Sequence, residues 1–566
     1  MSPPFQTAAD VAEAPWESLR AVYDELLARP LGNATIEAWL ADWSRFEEVL
    51  TEAISLAMIG YTSDTTDPKK AAAHRRFAVE IGPLADEKSV ALARRLGDFG
   101  YRRPGLEQVV ARFRRATEVF REENVPLIAE LEEAGTEYQA ITGGFLVDWD
   151  GEQRPVPQLA PFLQSPDRAI RERAFRASTQ PYKDARQSLA ALFDRQLGLR
   201  HRVARHAGFA DFREYSFAAK CRFDYGPDDC ERFHAAVEAV VVPAVARLYR
   251  DRQARLGLQS LRPWDLGSPL YREEPLRPFQ GGRDLMQRTA AVFRHLDPVL
   301  AGEFQLMIDE GLLDLESRKG KAPGGYCDTL HARGYPFIFM NASGVMEDVQ
   351  TLLHEAGHSF HAFASHRQAL IWQRHPSAES AELASMSMEL LGTTFLDAEG
   401  AFLGARDAAV ARIEHLEDVL VTLCHIASVD AFQAWIYPER RGDDAGARDR
   451  AWLAVRARFE PVVNWDGLET ERVARWYRQL HIFLHPFYYI EYGIAQLGAL
   501  QVWLNYRRDP VGALASYRRF LSMGATAALP ALYQAAGAEL VFEAGPMARL
   551  VGEVEAEIDR LRASLG

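Results

Sequence analysis

Leu353-His354-Glu355-Ala356-Gly357-His358-Ser359-Phe360 is the stretch from which the rest of the chain is read. It contains the pattern H-E-x-x-H. Val349, Leu352, Leu353, Ala356, Phe360 and Phe363 recur at three- and four-residue steps, which predicts an amphipathic helix with one buried face. At 100° per residue, His354 and His358 fall about 40° apart around the axis, one turn above the other. Two imidazoles so placed can share one metal ion. Glu355 lies beside them on the same side, close enough to reach a water at the metal but badly angled to be a ligand. Two ligands and a carboxylate base are what zinc-assisted hydrolysis requires.

Zinc in a hydrolase usually takes three protein ligands and leaves one position for water. Candidates for the third follow in His375-Pro376-Ser377-Ala378-Glu379-Ser380-Ala381-Glu382, which continues through Ser385 and Glu389 to Leu391. Pro376 and Ser377 precede a predicted helix rich in Ala, Met, Leu and Glu. Glu382 and Glu389 are seven residues apart and share a face. One can bind the metal while the other orients a ligating histidine. Glu379, one turn earlier, competes. The longer pattern H-E-x-x-H-x-x-G-x-x-H would need glycine at 361 and histidine at 364; the chain has His361 and Ala364, which excludes it. His361 and His366 are near the motif, but His361 points away from the metal face.

The chain has 566 residues, 48% hydrophobic and 25% charged, the composition of a globular protein with a large core. Lys and Arg number 65 against 79 Asp and Glu, a net charge of -14, which argues against a nucleic-acid partner. Cys221, Cys230, Cys327 and Cys424 are scattered without a C-x-x-C pair, as expected of free thiols in a reducing compartment. Met1-Ser2-Pro3-Pro4-Phe5-Gln6 lacks the basic and apolar regions of a signal peptide. No run of about 18 apolar residues is apparent. A cytoplasmic enzyme without a membrane partner is expected.

The first third reads as helices: one from Trp16, a second after Asn33, then two long charged ones at roughly 68–98 and 105–135 separated by Gly100 and Pro104. Thr142 to Gly151, with an Asp-Gly turn before Pro155 and Pro157, predicts a short hairpin near 143–157. A boundary near 185 divides an N-terminal helical lobe, 1–185, from a catalytic domain, 186–566. The main β signal precedes the motif helix. Gly324-Gly325-Tyr326-Cys327 belongs to a glycine-rich loop, and Tyr335-Pro336-Phe337-Ile338-Phe339-Met340-Asn341 reads as a strand. Such a strand can offer its edge to an extended peptide or be buried in a small sheet. Downstream, His481-Ile482-Phe483-Leu484-His485-Pro486-Phe487-Tyr488-Tyr489-Ile490-Glu491-Tyr492 is dense in His and Tyr. Pro486 suits the first turn of a helix. Tyr hydroxyls and a His N–H can stabilise an oxyanion, although aromatic clusters also serve simply as core.

H-E-A-G-H-S-F-H followed by E-L-A-S-M-S-M-E-L-L resembles the thimet oligopeptidase/oligoendopeptidase F family of zinc metallopeptidases, most of all its oligoendopeptidase F branch. Pro323–Cys327, Phe337–Asn341 and Pro486–Gly493 resemble the same branch in the same order. The resemblance covers roughly 200 to 540. It implies a mostly α, two-lobed fold with a deep central cleft and small β elements before the motif helix. It implies one Zn2+ per chain on His354, His358 and Glu382, with Glu389 supporting a ligand from behind. Glu355 would be the general base, with Tyr492, His481 and Tyr489 as further catalytic groups. Gly324, Gly325, Tyr326, Phe339, Asn341, Tyr488 and His485 would contact substrate, and either His481 or His485 matches the family histidine. The implied activity is internal cleavage of short peptides. A helical carboxypeptidase with the same ligand set, a non-catalytic peptide binder, and a helical scaffold with a chance motif are the competing readings. Oligomeric state is not legible.

Overall fold

The computed structural model describes residues 5–322 and 324–565. Met1 to Pro4, and Pro323 of the glycine-rich loop, lie outside them. The protein is mostly helical with two small sheets. It divides into two compact units, each built from three stretches of chain. Met1–Glu118, Arg277–Ala408 and Ala495–Leu540 make the first; Val119–Leu276, Ala409–Ile494 and Val541–Gly566 make the second. The boundary expected near 185 therefore falls inside the second unit, between the helices Arg168–Asp184 and Arg186–His206.

In the first unit the N-terminal helices Trp16–Ala28, Ile36–Ser63 and Gly82–Phe99 close around Tyr23, Trp39, Trp43 and Phe46, all fully buried. The helix expected at 68–98 is interrupted by a π turn, Arg76–Ile81, just before Gly82-Pro83. Pro83 has no N–H to continue the i→i−4 ladder, so the backbone rewinds there. The helix expected at 105–135 is also broken, into Glu107–Val119 and Val125–Gly143, with Pro126 opening the second piece.

The three-stranded sheet has the order β3-β5-β4, with β3 at Leu313–Glu316, β4 at Tyr326–Leu330 and β5 at Tyr335–Ala342. β5 runs parallel to β3 and antiparallel to β4, with Cys327 opposite Ile338. The strand expected at 335–341 is thus present but central. Both its edges are paired, and β4 is an edge strand instead.

The motif helix, Met346–Ser365, begins where the Asp348 carboxylate accepts the backbone N–H groups of Ser343, Gly344 and Val345 at 2.8, 2.8 and 2.9 Å. This satisfies the N-cap donor and the two loop donors before it, and places negative charge at the positive end of the dipole. Val349, Leu352, Leu353, Ala356 and Phe360 are fully buried, and Phe363 is half-buried. Leu352, Leu353 and Phe360 each contribute about 1.5–3 kcal/mol by leaving water. The helix Ala378–Gly392 packs along this one.

The loop joining the two helices is held by the N-terminal helices of the same unit. Ile371 donates its N–H to Ser44 Oγ at 2.8 Å, Gln373 donates to the Gly105 carbonyl at 2.8 Å, and Arg112 donates to the His375 carbonyl at 2.7 Å. Trp372 packs on Trp43 with ring centroids 4.3 Å apart. The first hundred residues are therefore part of the frame around the motif.

In the second unit, β1 (Leu146–Trp149) and β2 (Glu152–Pro155) form the expected hairpin. Asp150 and Gly151 carry φ of 57° and 84°, the left-handed pair that a two-residue turn of this hand needs. The helix Ala405–Ile436 is long and apolar enough to span a membrane by length and composition, with mean hydropathy 1.5 in its best window. Glu417, Asp418, His425 and Asp430 interrupt it, so it holds no continuous apolar run of about 18 residues. Within the protein 72% of that window is buried, as in a core helix.

Candidate metal centre

His354 and His358 face the same direction from the motif helix, with ring centroids 4.9 Å apart. Glu382 comes to them from the helix Ala378–Gly392. Its Oε2 lies 3.4 Å from His354 Nε2 and 3.9 Å from His358 Nε2. Two donor atoms each about 2.0–2.1 Å from a tetrahedral zinc would stand about 3.3–3.4 Å apart; the His354 separation matches this and the His358 separation of 3.9 Å is wider, to be drawn in by a shared ion. Among the described residues this is the one group of three or more His, Cys, Asp or Glu donors close enough to hold a metal. Two imidazoles and a carboxylate are a donor set suited to zinc.

Two contacts orient these donors. His354 Nδ1 and Glu389 Oε1 are 2.6 Å apart, and a donated Nδ1–H leaves the Nε2 lone pair for a metal. Ser385 Oγ donates to Glu382 Oε2 at 3.2 Å. Ser385 was not singled out from the sequence, although its place three residues after Glu382 could have pointed to it. Glu379 and His361 stand outside the group. Glu379 is buried one turn before Glu382, and His361 is buried against Phe520, with centroids 5.3 Å apart.

Glu355 is buried, 8% exposed. Burial pushes its carboxyl up to about 7; His354 and the Cys327 backbone N–H, which donates to it, pull the other way. Burial pushes His358 down to about 4. Burial also opposes charge on His354, but hydrogen bonds to Glu382 and Glu389 outweigh it and raise the imidazole well above its ordinary value. These directions describe the protein without an ion; a bound cation reverses the local charge balance.

Gly357 explains how Glu382 comes so close. A Cβ at Gly357 would stand 2.5 Å from Ser385 Cα and 2.8 Å from the Ala384 carbonyl oxygen. Only a glycine lets the second helix approach at that point. Gly392 does the same for the Leu353 side chain, 2.7 Å from its imaginary Cβ.

The remaining predicted residues of the first unit have internal partners. Tyr326 shares a 2.6 Å hydrogen bond with Thr62 and stacks on Phe339 at 4.9 Å. Phe339 is buried at 1% exposure. Asn341 donates to the carbonyls of Ala322 and Gly324 at 2.8 and 2.9 Å, which pins the glycine-rich loop. Gly324 has a φ of 100°, whereas Gly325 has ordinary dihedrals and lies near the Phe339 carbonyl.

The His–Tyr segment lies in the second unit. The His481 ring is 4.9 Å from Tyr489, 5.7 Å from Tyr488, 5.8 Å from His485 and 6.0 Å from Tyr492. Tyr489 donates its hydroxyl to Gln479 Oε1 at 3.1 Å. Tyr488 and Tyr492 are 5.1 Å apart. The helix begins at Tyr489, so Pro486 is not in its first turn. Phe487 has a φ of 61°, which no helix can contain, and its N–H goes to Gln433 Oε1 at 3.0 Å.

Replacing Glu389 by Gln is expected to weaken zinc binding by about 10–100-fold, because the amide is a weaker partner for the His354 N–H. Chelator-competition titration of both proteins checks it. Equal zinc affinities would mean that Glu389 does not tune the ligand.

Comparison with known proteins gives a consistent result. The model for a family described as peptidase family M3 matches residues 162–549. An oligoendopeptidase F homolog of Borreliella burgdorferi is 23% identical over 385 residues, 64% of this chain and 60% of that protein. Oligopeptidase PepF of Bacillus subtilis is 25% identical over 267 residues, 45% of this chain and 38% of that one. The matches thus span less than two thirds of these relatives. A solved structure of PZ peptidase A with inhibitor 2 superposes with a TM-score of 0.88 and 26% identity, covering 97% of this chain and 98% of the other.

Proposed function

The chain belongs to peptidase family M3, and from that premise we propose that it is a zinc-dependent endopeptidase cutting internal bonds of short peptides. The observation that carries the reading is the His354/His358/Glu382 group with the buried carboxylate of Glu355 beside it. A non-catalytic binder has no use for that base. Bound zinc would supply a Lewis acid for the scissile carbonyl and ease deprotonation of water.

His354, His358 and Glu382 would hold the ion. Glu355 would take the proton from the attacking water and return it to the leaving amine. Its Cys327 hydrogen bond fixes it at the β4 edge, and β4 is the candidate for pairing with an extended peptide through main-chain hydrogen bonds. Tyr492 and His481, with Tyr489, are proposed as hydrogen-bond donors to the carbonyl oxygen. Their support is the family resemblance and their donor chemistry. The four free cysteines are consistent with a reducing, cytoplasmic setting.

Cleavage mapping by mass spectrometry tests the proposal. Zinc-loaded protein is incubated with a mixed set of peptides of differing length and with one folded protein. Internal cuts in the short peptides, with the folded protein intact, are expected. Stepwise loss of C-terminal residues would replace the endopeptidase reading with a carboxypeptidase. No cutting at all would leave a peptide-binding protein.

A further inference from the structure

We propose that a second cavity, lying wholly within the second unit, binds a small organic carboxylate through Arg475 and Arg478. Its volume is about 530 Å3, enough for a ligand the size of an acylated amino acid or a short peptide end. Phe175, Tyr182, Tyr249 and Trp264 give it aromatic walls. Its charged lining is unbalanced: Arg456, Arg475 and Arg478 against Glu460 alone.

The charge of that one carboxylate is already shared among three arginines. Glu460 accepts from Arg456 at 2.5 Å and from Arg475 at 2.7 Å, and Arg472 stands 3.2 Å from its other oxygen. Arg475 spends only one nitrogen on this contact. The Arg478 side chain, three residues on and exposed, has no ion pair or hydrogen bond among the described residues. Trp264, 5% exposed, has an indole N–H with no acceptor. A buried indole N–H left without an acceptor is costly, and an anion can supply one, while the exposed Arg478 guanidinium is free to exchange water for a carboxylate. Planar guanidinium groups match a carboxylate by paired N–H bonds, and aromatic walls favour an apolar body behind it.

The cavity also touches the His–Tyr segment. Gln479 lines it and accepts the Tyr489 hydroxyl, and His425 lines it with its ring 5.5 Å from Tyr489. An occupant would therefore meet the groups that hold Tyr489. Two sources carry the required chemistry: the C-terminal carboxylate of a peptide, or a free carboxylic acid. Only the first rests on the peptidase reading.

The test is calorimetric titration of the full-length protein with N-acetyl-L-phenylalanine and with its amide. Each is run on zinc-loaded and chelator-treated protein, so that binding of the acid to a metal is recognised. The acid is expected to bind both forms equally, and the amide at least about tenfold more weakly. Arg478→Gln, a change at an exposed position, is expected to weaken the acid by about tenfold, and Arg478→Lys to restore part of the loss. Acid and amide binding alike, no saturable binding, zinc-dependent binding only, or an unchanged Arg478→Gln would overturn the proposal. Acetylated di- and tripeptides ending in Phe separate the sources: affinity rising with length indicates a peptide end, and affinity falling indicates a free acid. The absence of peptide cleavage would leave these titrations unaffected, so the two readings fail separately.

Discussion

Glu355→Gln is expected to lower kcat/KM for a short peptide by about 10²–10⁴-fold while the protein keeps one zinc per chain. The substitution removes a proton acceptor and little else. Gln has the same length and shape, its amide oxygen can still accept the Cys327 N–H, and Glu355 is not among the three metal donors. At 8% exposure the side chain is too enclosed for bulk water to take over the proton transfer. Zinc content by elemental analysis and steady-state kinetics on one peptide check both halves. A variant within about tenfold of wild type would remove Glu355 from the role of base. A variant that lost its zinc would show that Glu355 shapes the metal site instead.

Spacing internal to two helices made the paired histidines and the paired glutamates legible, and the family resemblance picked Glu382 as the third donor. His354 and His358 are one turn apart, Glu382 and Glu389 two turns apart, and each pair faces one way whatever the rest of the chain does. The hairpin was legible for the same reason, since Asp150-Gly151 encodes its own turn. What could not be read depends on distant partners. β5 is central because Leu313–Glu316 pairs with its far edge, and nothing in 335–341 announces that strand. The N-terminal helices join the metal-bearing unit through Ser44, Gly105 and Arg112, all more than 250 residues from their partners around 371–375. A sequence cut at 185 follows chain order, whereas the units follow these contacts. The helix start at Tyr489 was hidden by a positive φ at Phe487, a residue type that seldom adopts one.

Gly357→Ala is expected to disrupt the site although the glycine touches no metal donor's functional group. In an exposed helix the change would add roughly 1 kcal/mol of stability through propensity. Gly302, exposed in the helix Pro298–Asp309 with nothing within 4 Å of an added Cβ, should show that gain when changed to Ala. At Gly357 the added methyl would sit 2.5 Å from Ser385 Cα and 2.8 Å from the Ala384 carbonyl, and backbone cannot rotate away as a side-chain tip can. Overpacking of this kind costs about 1–3 kcal/mol. The strain is relieved only by moving the helix that carries Glu382 and Ser385 away from His354 and His358. Zinc affinity should therefore fall with stability, and peptide hydrolysis with both. Urea unfolding with and without zinc, beside chelator competition, separates the two effects. Stability lost equally in both conditions, with zinc affinity unchanged, would mean that the helices part elsewhere and the donors stay together. A loss much larger in the presence of zinc would identify the Gly357 contact as what sets the distance between the two ligand-bearing helices.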